Sequence, residues 1–130
     1  MTPLFIVAAS FSSAGDNSFQ SIFPHCDVTN AVTFSQAKTM CAQEVAGVAM
    51  DRVSARVGMV LSKTGFSKEF HDAVKVSQEN WLTFTKSACE ADTLVWENGS
   101  LTELRRATCL RNLAEQRSSN LQTMLEEMDF

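Results

Sequence analysis

The sequence predicts an all-α fold: three long helices in an antiparallel bundle. The chain has 130 residues with only Gly 5 and Pro 2, too little turn punctuation for a β-sandwich or barrel. Apolar residues recur at spacings of three, four or five along three separate stretches, which marks one face of a helix in each. Short connections between long helices make consecutive helices antiparallel neighbours.

The first stretch begins at Thr33 and runs through Phe34, Ala37, Cys41, Val45, Val48, Val53, Val57 and Val60. Gly47 and Gly58 lie inside it and argue against an unbroken helix, since each costs about 1 kcal/mol relative to Ala. Thr64-Gly65 supplies the stop. The second stretch starts at Ser67, an N-cap candidate, with Glu69 placed to complement the helix dipole. Phe70, Val74, Trp81, Phe84, Ala88 and Cys89 share its apolar face, with a polar gap at Ser77-Gln78. It is expected to end near Val95, before the breaker Glu97-Asn98-Gly99. The third stretch opens at Ser100-Leu101-Thr102-Glu103, which fits a capping box. Leu104, Leu110, Leu113, Arg117, Leu121 and Met124 continue its stripe.

Ahead of the helices, residues 1–14 contain the apolar run Leu4–Ala9 and the small residues Ser12-Ser13-Ala14. They read as a signal-peptide-like segment, clipped because no Lys or Arg precedes Lys38, with an N-terminal strand or arm packed on the domain as the alternative. Residues 15–30 read as a leader loop, and residues 31–130 as the helical domain.

Composition excludes several functions. Hydrophobic residues are 45% and charged residues 20%, which fits neither a disordered nor a membrane-embedded chain. The net charge of −4 lacks the basic surplus of a nucleic-acid binder. No eighteen-residue apolar run forms a transmembrane segment. His25 and His71 are far apart, and His71 is expected to face solvent. Neither histidine lies in an HExxH pattern, and no CxxC, GxSxG or phosphate loop occurs. The reading is a non-enzyme with no metal and no cofactor.

Cys26, Cys41, Cys89 and Cys109 allow two readings. They are reduced and scattered through a core, or they form two disulfides in an oxidising compartment. A helical hairpin favours setting Cys89 opposite Cys109. Equal steps outward then bring Phe84 level with Ala114, Trp81 with Arg117, Val74 with Met124 and Phe70 with Met128. Cys26 is left to tie the leader to Cys41. The preferred fold is therefore a bundle stapled by two disulfides, 26–41 and 89–109.

Gln78, Trp81, Phe84 and Cys89 resemble the pattern Q-x-x-W-x-x-[YF]-[RK]-x-x-x-C of the LprI-like lysozyme-inhibitor family. Gly99-Ser100 falls at that family's Gly-Ser loop. Cys109-Leu110, Leu113, Ala114, Arg117 and Leu121 are similar to its closing C-L-x-x-L-[TA]-x-x-R-x-x-x-L. Cys41-Ala42 hold its upstream register. The chain departs from the pattern at Thr85, where the family often has Arg, and it contains no Tyr. The resemblance covers about Cys26 to Leu121. It implies a helical domain with paired cysteines, a periplasmic or secreted location, and a lysozyme as protein partner.

Two candidate regions follow. Trp81, Phe84, Leu113, Arg117 and Leu121 form a structural motif, in which Arg117 either stacks on Trp81 or packs with it to seal the helix interface and bonds a carboxylate such as Glu79. The loop Trp96-Glu97-Asn98-Gly99-Ser100 is the candidate partner-binding site. It joins two helices, carries an aromatic anchor, and has Glu90, Asp92 and Glu103 close in sequence. An acidic loop of this kind suits the cleft of a cationic lysozyme. The alternatives are a non-inhibitory module of the cell envelope and a reduced cytoplasmic helical protein.

Overall fold

Three helices account for most of the described chain. A computed structural model describes residues 19, 21–26, 34–95, 99 and 101–129. Helix α1 spans Phe34–Ser62, α2 Lys68–Leu94 and α3 Thr102–Met128. The segment 1–14 and most of the leader's first half lie outside the described residues.

Helix α1 continues unbroken through Gly47 and Gly58. Both glycines are exposed, so neither interrupts a packed face. The buried face is Ala42, Ala46, Ala49, Val53, Val57 and Val60. The expected stripe holds at Val53, Val57 and Val60, and Ala37, Cys41 and Val45 pack partly buried on the core. Before Val53 the fully buried residues are alanines, and Val48 is exposed. The cause lies across the interface: α3 presents the small residues Ala107, Ala114 and Ser118, all buried. Small side chains on both helices permit close approach of the two axes. Arg56 Nη1 reaches the backbone oxygen of Ser118 at 2.8 Å across this seam.

The turn between α1 and α2 follows local chemistry. Lys63 N–H donates to Val60 O at 3.2 Å, and Gly65 takes a φ of 86°, a region that favours glycine. Ser67 caps α2, its Oγ accepting from Phe70 N–H at 3.1 Å. The start of α3 differs from the expected capping box. Its N-cap is Leu101, with no side-chain cap bond. Thr102 Oγ1 donates instead to Gly99 O at 2.9 Å, and Glu103 pairs forward with Arg106.

Helix α3 is the central element. It packs along α1 and against α2, whereas α1 and α2 touch each other little. Helices α1 and α3 run in the same direction, as the Arg56–Ser118 and Lys63–Asp129 contacts show, and α2 is antiparallel to both. Two disulfides staple the assembly: Cys26–Cys41, with Cα atoms 5.8 Å apart, and Cys89–Cys109, at 5.5 Å.

The core divides into two clusters. One lies toward the α1–α2 turn and joins Val53, Val57, Val60, Val74, Leu121 and Leu125, with Phe70, Trp81 and Met128 packed on it. The other lies toward the start of α1. There Phe19, Phe23 and Cys26 of the leader pack on Ala42, Ala46 and Ala107. The described part of the leader is thus built into the fold, with Phe23 1% exposed.

Candidate partner-binding end

The two helices that carry the candidate loop are locked together at its base. Helix α2 buries Val74, Thr85, Cys89 and Thr93. Phe84 was expected on this face, but it is 57% exposed while Thr85 is 1% exposed. One residue rotates the side chain by about 100° around the helix, enough to move Phe84 out of the seam. Of the other motif residues, Leu121 is fully buried, and Trp81, Leu113 and Arg117 are partly buried.

Arg117 lies over Trp81, with its guanidinium carbon 6.0 Å from the ring centroid. Its hydrogen bonds correct the expected carboxylate pairing. They run to Gln78 Oε1 at 3.2 and 3.1 Å and to Ser77 Oγ at 3.3 Å, not to Glu79. The polar gap in the α2 stripe therefore has a purpose: Ser77 and Gln78 accept from a guanidinium that α3 pushes into the seam. Partial burial holds the Arg117 pKa below its ordinary value, and the group stays charged at any physiological pH.

Beyond Cys89–Cys109, toward the loop, the seam becomes ionic. Arg105 Nη2 meets Asp92 Oδ1 at 3.1 Å, and Arg106 Nη2 meets Glu90 Oε1 at 3.1 Å. Arg106 also pairs with Glu103, and the bonds to Glu103 and Glu90 raise its pKa. Glu90, Asp92 and Glu103 are therefore not a free acidic surface; each is matched by a guanidinium. This clamp was legible in principle. The register that sets Cys89 opposite Cys109 also brings Glu90 and Asp92 near Arg105 and Arg106.

At the tip, Val95 is 75% exposed, and Leu94 and Leu101 are also exposed. Gly99 is exposed, and its carbonyl accepts from the Thr102 N–H at 3.3 Å. Trp96, Glu97, Asn98 and Ser100 lie outside the described residues. His71 is half-buried, not solvent-facing, and its Nε2 has no partner among the described residues. The Phe70 ring sits 5.8 Å from it and takes its flank out of water. Among the described residues no cluster of His, Cys, Asp or Glu is arranged to hold a metal. No described helix is long and apolar enough to cross a membrane.

A family model described as "Lysozyme inhibitor LprI" matches residues 26–121. The chain belongs to the LprI lysozyme-inhibitor family. The match begins at the first disulfide cysteine and includes both bridges, the Trp81–Arg117 contact and the α2–α3 connection. No curated protein and no solved structure matches the chain. At the level of the LprI family the domain is a lysozyme-inhibitor domain, which suggests a lysozyme as protein partner and no chemistry of its own. Paired cysteines are consistent with an extracytoplasmic location.

Proposed function

We propose that this protein is a periplasmic or secreted lysozyme inhibitor that occludes the enzyme's cleft with the loop Trp96–Ser100. The observation that carries this reading is the construction of the loop's two roots. Cys89–Cys109 joins them covalently, and Asp92–Arg105 and Glu90–Arg106 bridge them again nearer the tip. A binding loop on rigid roots loses less conformational entropy on docking, which favours affinity. Exposed Leu94, Val95 and Leu101 flank it with apolar surface. The net charge of −4 speeds encounter with a cationic enzyme, although the paired carboxylates leave that effect to the molecule as a whole.

A muramidase assay on labelled cell walls tests the reading. A micromolar excess of the protein should slow lysis by at least one lysozyme type. Replacing Trp96→Ala together with Glu97→Ala should weaken inhibition about 30-fold, as loss of an aromatic anchor worth about 2 kcal/mol does. The melting temperature should hardly change. Equal loss of inhibition and stability would place the two residues in folding instead. No slowing with any lysozyme type would favour a non-inhibitory envelope module.

A further inference from the structure

A second surface feature lies on the opposite flank of α3 from α2. It is a groove of about 540 Å³ between α1 and α3, and every residue lining it is polar or charged. Arg52 and Arg56 enter it from α1. Glu115 and Glu126 of α3 also line it. Helical phase sets Glu115 and Glu126 roughly opposite Arg117 and about 100–120° around the helix from Cys109, the two residues that meet α2.

Among the described residues, no ion pair joins the groove's two carboxylates to its two guanidiniums. Glu115 Oε1 accepts from Arg111 Nη1 at 3.4 Å, and Glu126 Oε2 accepts from Gln122 Nε2 at 3.3 Å. Arg56 uses one N–H on Ser118 O and keeps the rest of its fork. Among the described residues, Arg52 and Arg56 have no carboxylate partner. Arg105, Arg106 and Arg111 are all ion-paired, and Arg117 is hydrogen-bonded to Gln78. Ser118, which also lines the groove, is 4% exposed, and its Oγ has no partner among the described residues.

We propose that this groove is an oxyanion site that takes one compact phosphate or carboxylate group between Arg52 and Arg56. The two arginines are four residues apart, so their side chains rise from the same face of α1 about 6 Å apart. Long flexible stems rooted on one face give both guanidinium forks the reach to meet the oxygens of a single anion. Glu115 and Glu126 are eleven residues apart on α3, about 16 Å along the axis. They repel a long polyanion laid along the groove and leave room for a single charged group. The site is separate from the loop Trp96–Ser100 and does not depend on the lysozyme reading.

Titration of the full chain with inorganic phosphate and with acetate tests this, at constant ionic strength. Arginine side-chain Nε–H resonances report it. At least one anion should shift Arg52 and Arg56 saturably and leave Arg105 and Arg106 in place. Arg52→Gln should keep the melting temperature, since Arg52 is exposed and unpaired, and should weaken that binding about tenfold. The anion that saturates identifies the ligand class. Shifts that stay linear with both anions overturn the proposal, as does undiminished binding to Arg52→Gln.

Discussion

The two ends of this molecule are held together by different physics. Toward the α1–α2 turn, all three helices contribute branched, aromatic and thioether side chains to one cluster, and no disulfide is present there. Toward the opposite end, α2 contributes nothing to the second cluster, and the leader packs on α1 and α3 instead. Here the cysteines and the arginine–carboxylate pairs bind the parts. Ionic links occur at both ends, with Lys63–Asp129 at the turn end, but the covalent links stand where α2 leaves the core, and that is also the end that bears the candidate loop.

The largest effect should come from the packed end. Leu121 is 1% exposed, and Leu121→Ala should lower stability by about 2–5 kcal/mol through lost burial and a cavity. Denaturant unfolding would measure it, with all probes moving together. Cys89→Ser with Cys109→Ser should cost slightly less, about 2–4 kcal/mol. Its signature should be local. Amide hydrogen exchange should rise first in α2 beyond Thr85, before the turn end opens. Uniform exchange across the molecule would remove the distinction between the two ends.

Gln78→Ala tests the boundary between them. It takes the main acceptor from a partly buried guanidinium and should cost about 1–2 kcal/mol in chemical denaturation. The smallest effect is a gain. A Cβ built on Gly47 or Gly58 meets nothing within 4 Å. Each Gly→Ala change should therefore raise stability by about 0.5–1 kcal/mol, read as a higher melting temperature.

Long-range order was more legible in the sequence than fine phase. Three helices, their direction and the register of α2 against α3 follow from apolar spacing and the positions of Cys89 and Cys109. The contact of Arg117 with Trp81 follows from the same register. The alanine face of α1 is not legible in the sequence because large residues dominate an apolar stripe, and Val48 lies off the buried face. Phe84 failed for a related reason: the seam needed a small residue at Thr85. Ser100 and Glu103 satisfied a local capping pattern, but Arg106 and Arg105 made a tertiary clamp that local rules do not contain. The partner-binding role proposed for the loop rests on its held roots and on the exposed Leu94, Val95 and Leu101, because chain periodicity carries no information about a docking surface.

The most direct test of the central claim is muramidase inhibition compared between two disulfide variants, at a temperature where circular dichroism shows both still helical. The intact protein should slow cell-wall lysis. Cys26→Ser with Cys41→Ser, which frees only the leader, should inhibit nearly as well. Cys89→Ser with Cys109→Ser, which loosens the loop's roots, should inhibit at least tenfold less, matching roughly 1.4 kcal/mol of lost preorganisation. Equal inhibition by all three proteins, or none by the intact chain, would contradict the account.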